Sequence, residues 1–258
     1  MLSHFDYTTN LQHGKKFTQP TDRSIMAQLP SLLAKKLGSH YPGISINVEF
    51  IVMESWLENM LHGVNFAAER YMKSELSRFG PDADYSEYSH AYDIAEQEIP
   101  RIVNASFVVS IIALFEASLE KILTFCCTQE NATTLKSYLK KNNVKLRNYS
   151  VADKFISYLS EELKFDYRFD EQNMQQIRNM IHLRNIIAHG GALIVDYAFF
   201  SHESESRLKQ IVDSSNATLS ISFGQLVVTT EYLTERFQII DSCLEDFMEY
   251  VENRYFSD

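Results

Sequence analysis

Glycine and proline are scarce in this 258-residue chain, at 8 and 5 residues against 17 Phe and 14 Tyr. A fold made of many tight turns needs residues that tolerate unusual backbone angles. Their scarcity therefore argues for long regular elements with bulky packing, chiefly helices. Cysteine is also rare: there are 3, and Cys126 and Cys127 are adjacent on an apolar stretch. They form neither a disulfide framework nor a spaced pair of the zinc-binding kind, which fits a reducing compartment. Positive charge is in deficit, with a net charge of -10. The field of the whole chain repels phosphate, so any nucleic-acid contact needs a local patch or an opposing partner surface.

Other absences narrow the reading further. Met1-Leu2-Ser3-His4-Phe5-Asp6 lacks the basic start and apolar run of a secretory signal. The most apolar stretch, Ile102 to Phe115, is followed by Glu116, Glu120 and Lys121. It reads as a buried helix too short for the ~30 Å of a bilayer's hydrocarbon. A soluble cytoplasmic protein without a membrane span is expected. There is no repeat, no low-complexity tract, no Gly-rich phosphate loop, no nucleophile elbow and no carboxylate-metal motif, so neither metal nor cofactor is expected. With 45% hydrophobic and 22% charged residues, the chain is long enough for one large domain with an elaborated N-terminus.

Residues 1–48 read as an irregular arm holding at most a short helix around Ser31 to Leu37, because glycines and prolines recur there. The domain proper is expected over 49–258. Glu49 to Phe79 carries apolar residues at helical spacing and is stopped by Gly80-Pro81. A polar link, Asp82 to Tyr88, precedes a long helix from Ser89 to Cys127 with a bend at Pro100. Its second half is apolar on nearly every side, as for the central helix of a bundle. A short helix is expected within Asn131 to Tyr149, then helices over Val151 to Leu163, Glu171 to His189 and Ser201 to Val212. Gly190-Gly191 just past His189 suits a helix C-terminus. The alternating segments around Phe223-Gly224 read as a β-hairpin, and Thr230 caps a closing helix that runs to Tyr255. The fold class is thus mainly α, a helical bundle with a small β-hairpin before the C-terminal helix.

Chemistry concentrates in Arg184-Asn185-Ile186-Ile187-Ala188-His189-Gly190. Arg-x4-His spacing alone arises about once by chance in such a chain. The context adds weight: an Asn directly after the Arg, a bulky apolar pair, and a His at a glycine-terminated helix end. Asn185 and His189 are four apart and share a face, so the amide can orient the imidazole. His189 lies in the last turn, where the negative end of the helix dipole favours the imidazolium and an acid role. Arg184 is about 140° around the helix from His189, so the two converge only on a large ligand such as a phosphodiester backbone.

The Arg-Asn-x-x-x-His pattern at a helix end resembles the signature of the HEPN superfamily. The upstream segment Leu114-Phe115-Glu116-Ala117-Ser118-Leu119-Glu120 resembles that family's earlier core helix, whose acidic or polar residue faces the motif. Glu116 is the first choice for that residue and Glu120 the second. Leu219 to Tyr250 resembles the tail of bacterial HEPN proteins associated with abortive infection, and the resemblance covers roughly Glu49 to Tyr255. It implies a HEPN-like bundle that forms a homodimer, with two motifs facing across a two-fold cleft to cut RNA without a metal. The implied activity is a toxin or anti-phage endoribonuclease held in check by an antitoxin or an activating partner. Catalysis would fall to Arg184, Asn185, His189 and Glu116. One subclass of the family places a tyrosine shortly after the motif His; here Gly190-Gly191-Ala192 follow, and Tyr197 is too distant to match.

A second reading is a non-catalytic HEPN dimer that binds a nucleotide or a partner protein. The basic cluster Lys136, Lys140, Lys141, Lys145, Arg147 and Lys154 is a candidate RNA track with Tyr138 and Tyr149 as stacking surfaces, or else a solvated face. His182, seven residues before His189, suggests a further imidazole on the same face, although one neighbouring histidine does not make a metal site. His202, Glu203 and Glu205 form no recognisable spacing.

Overall fold

The computed structural model describes residues 41–79, 85–189, 202–222 and 224–256. The short helix expected at Ser31 to Leu37, the Gly80-Pro81 stop and the Gly190-Gly191 terminus lie outside them. The described elements are α1 (Gly43–Leu76), α2 (Tyr85–Asp93), a π-helical turn (Ile94–Glu98), α3 (Ile99–Gln129), α4 (Leu135–Lys141), α5 (Val151–Glu161), α6 (Glu171–His189), α7 (His202–Asp213), β1 (Leu219–Ser222), β2 (Gln225–Val228) and α8 (Thr230–Phe256). The fold is mainly α, with an antiparallel hairpin before the last helix.

Helix α1 starts earlier than its periodicity predicts and takes Gly43 to Val48 out of the irregular arm. Pro42 precedes the first helical residue, and its carbonyl accepts the Ile46 N–H at 3.0 Å. Ile46 and Phe50 are fully buried, so tertiary packing draws this turn into the helix. A side chain at Gly43 would run into the Tyr41 ring, which explains the glycine there.

Helix α3 is the axis of the bundle, and Phe107, Ile111, Ile112, Phe115, Leu119, Ile122 and Cys126 are among its buried residues. Fully burying side chains of this size contributes about 1.5–3 kcal/mol each. The helix departs from expectation at its start. The bend expected at Pro100 is preceded by the π-helical turn, in which the Ile99 N–H donates to the Ile94 carbonyl. Proline has no N–H for the carbonyl four residues back, and a widened turn just before it absorbs the missing bond. The helical stretch Ser89–Gln129 also outruns the apolar segment ending at Phe115. Its mean hydropathy reaches 2.0 over an 18-residue window, so by length and composition it could cross a bilayer. Half of that window is buried in the bundle.

Helix α1 runs antiparallel to α3, since the tilted Trp56 and Phe107 rings lie 4.9 Å apart and Glu49 meets Lys121 Nζ at 2.5 Å. Helix α8 runs parallel to α3. At one end the Asn104 amide donates to the Val228 carbonyl just before α8, at 2.8 Å; at the other, the Phe125 and Tyr255 rings lie 5.7 Å apart. The α8 cap is Thr229 rather than Thr230, because the Thr229 hydroxyl accepts the Tyr232 N–H at 3.2 Å. The hairpin pairs Leu219 with Val228 and Ser222 with Gln225, and Gly224 takes φ 75°, a left-handed conformation that glycine adopts without a Cβ penalty.

Candidate functional site

Helix α6 begins where the Asp170 carboxylate accepts the Asn173 N–H at 2.8 Å, an N-cap that satisfies one of the orphan donors of the first turn. Its buried residues are Met174, Ile177, Met180, Ile181, Leu183 and Ile186. They hold the helix against α3 and α8, which leaves Glu171, Arg178, His182, Asn185 and His189 in a polar row along another face.

The row is partly engaged. Arg178 donates through Nε to Asp153 of α5 at 2.8 Å and through a terminal nitrogen to Glu171 at 2.6 Å. His182 Nε2 donates to the Ser204 carbonyl of α7 at 3.2 Å. Burial, with Arg207 nearby, depresses the His182 pKa below the ordinary histidine value. At the end of the row Asn185 and His189 are both exposed. The Asn185–His189 hydrogen bond expected from their spacing is not formed among the described residues. His182 has no metal-binding company either: among the described residues no cluster of His, Cys, Asp and Glu could hold an ion.

Arg184 leaves the helix on a different side and reaches α3, where it donates to the Glu116 carboxylate at 2.5 Å. Both side chains are 22% exposed. Burial pushes the Glu116 carboxyl above the ordinary carboxylate value, and the Arg184 guanidinium opposes that rise. The Arg184 Nε is buried without a partner, so Glu116 is what holds the guanidinium. Glu120, the second choice, is exposed and makes no bond to Arg184. The structure therefore joins Arg184 to Glu116 and leaves His189 about 140° away around α6.

The basic cluster fares differently. Lys136, Lys140, Lys141, Lys145 and Arg147 are exposed on and after α4, and Lys145 is paired with Glu161 at 2.5 Å. Tyr138 is buried at 3% exposure and donates its hydroxyl to Glu161 at 2.9 Å, so it is not a stacking surface. Tyr149 stays exposed. Arg178, Asp153 and Asp170 order the site, and the sequence reading missed them. The spacing of Glu171, Arg178, His182 and His189 on one face was the available signal.

No family model matches this chain, no curated protein is similar to it, and no solved structure matches it.

Proposed function

We propose that this chain is a metal-independent endoribonuclease of the HEPN type, cytoplasmic and homodimeric, acting in toxin-antitoxin or anti-phage defence. The observation that carries the reading is the division of labour on α6: Arg184 is anchored by Glu116, while His189, the last described residue of the helix, stands exposed. One motif supplies a single imidazole, and a two-fold assembly supplies the second member of an acid-base pair.

In this mechanism the ribose 2′-hydroxyl attacks its own phosphorus. The O2′–P bond forms as the P–O5′ bond breaks. His189 of one copy takes the hydroxyl proton, and His189 of the other protonates the leaving 5′-oxygen. The two Arg184 guanidiniums balance charge on the phosphorane. Asn185, exposed beside His189, binds the substrate. The products carry a 2′,3′-cyclic phosphate and a 5′-hydroxyl, and a cognate inhibitor or activating partner restrains the activity in the cell.

The test is incubation of wild type and His189→Ala with end-labelled total RNA in EDTA, with oligomeric mass measured for both. Cutting to cyclic-phosphate ends by wild type alone is the expected result. One observation favours the alternative of a non-catalytic HEPN module that binds a nucleotide or a protein: the Arg184 charge is already met within the chain by Glu116. Absence of cutting by a verified dimer, with or without cell extract, would give that alternative the lead.

A further inference from the structure

Helices α6 and α7 flank an open cleft of about 560 Å³, lined by Gln175 and Asn179 from α6 and by Glu203, Arg207, Gln210 and Ile211 from α7. We propose that this cleft is a nucleobase-recognition subsite for single-stranded RNA held at the motif. The proposal rests on the nuclease reading above and adds to it where substrate selectivity resides.

Position is the first argument. Gln175, Asn179, His182 and His189 fall within an arc of about 80° on α6, so the cleft opens on the face that carries the motif histidine. Asn179 precedes His189 by ~15 Å along the helix axis, a separation that a few nucleotides of single strand bridge. A strand with its scissile phosphate at His189 that follows the seam where α7 meets α6 at His182 and Ser204 has a base a few nucleotides away at the cleft.

The lining supplies the second. Gln175 Nε2 donates to Asn179 Oδ1 at 3.1 Å. That bond leaves an Asn179 donor and the Gln175 carbonyl without partners among the described residues, and Gln210 adds a further donor and acceptor. Alternating donors and acceptors are what the edge of an unpaired base presents. Glu203 and Arg207 cancel in charge, whereas a phosphate site needs an excess of cation. Arg207 also donates to the Arg178 carbonyl at 3.2 Å, which fixes the guanidinium as a plane on which a base can stack. Ile211, 4% exposed, gives the cleft an apolar patch.

The experiment uses the full chain carrying His189→Ala, to prevent cutting, and fluorescein-labelled decamers of rA, rC, rG and rU, read by fluorescence anisotropy at one salt concentration. The expected result is a spread of at least about fivefold in Kd between the tightest and weakest homopolymer. Adding Asn179→Ala and Gln210→Ala should collapse that spread to within about twofold, with unchanged helicity and thermal midpoint. Gln210→Glu alone, at an exposed position, should reorder the four. Equal binding of all four, a spread that survives the double substitution, or no binding at all overturns the subsite. Cutting by wild type in EDTA separates the two ideas. RNA cut without base preference sinks the subsite alone, while base-selective binding without cutting keeps the subsite and removes the nuclease.

Discussion

Arg184 on α6 meets Glu116 on α3 at 2.5 Å across 68 residues of sequence, with both side chains about four-fifths shielded from water. The pair sits where removing one member leaves the other poorly solvated. Arg184→Gln is therefore expected to destabilise the fold by about 1–3 kcal/mol at pH 7. Without the guanidinium, the Glu116 carboxyl, already raised by burial, rises further. A carboxyl whose folded pKa is raised favours folding below its unfolded value and loses that contribution as pH rises through the folded one. The defect of Arg184→Gln should thus shrink when urea unfolding is repeated at acid pH, and Glu116→Gln in the same chain should remove its pH dependence. A defect equal at both pH values would mean that the pair is not the cause.

His182 gives the opposite slope. Its folded pKa is depressed, chiefly by burial, and its Nε2 bond to Ser204 ties α6 to α7. The neutral ring is native, so its contribution is present above the ordinary histidine value of 6.5 and is lost as pH falls below it. Thermal midpoints measured from pH 8 to pH 5 should fall less steeply in His182→Gln than in wild type. Arg207, the charge that faces this ring, should modulate the same slope when changed to Gln.

His189→Ala should leave folding almost untouched, within about 0.5 kcal/mol, because the residue is exposed. Its loss of RNA cutting would then be chemical rather than structural. A large drop in thermal midpoint would instead mark His189 as a structural helix end.

Asn104 anchors the hairpin. Its amide donates to the Val228 carbonyl at 2.8 Å, and its side chain is 9% exposed. Asn104→Leu leaves that carbonyl without its donor, at a cost of about 1–3 kcal/mol. Amide exchange should accelerate in β1 and β2 before it does so in α3. Uniform acceleration throughout the bundle would contradict a local anchor.

Regular local geometry made much of this architecture legible from the sequence. Helix α6 covers the expected stretch from Glu171 to His189 and the hairpin falls on its two alternating segments, because helix and strand periods are written directly into which positions are apolar. Glu116 was singled out through the resemblance of Leu114 to Glu120 to a family's core helix; that a carboxylate on an apolar helix needs some partner did not by itself say which. The hairpin, by contrast, gave no sign that Asn104 would hold it, since that bond spans 124 residues.

The order of apolar and polar residues by itself determined a mainly helical chain, its central apolar helix, the hairpin and the placement of Arg184 and His189 on different sides of one helix. Only tertiary structure decided what each polar side chain meets. Burial of Ile46 in the core drew the first turn of α1 into the helix ahead of its visible periodicity. The packing of α4 on α5 buried Tyr138, which the sequence offered as a stacking surface. The approach of α7 to α6 engaged His182 and opened a cleft beside it. Periodicity reports the face on which a residue lies, through bonds between near neighbours. The partner on that face depends on how whole helices pack, and no local pattern encodes that choice.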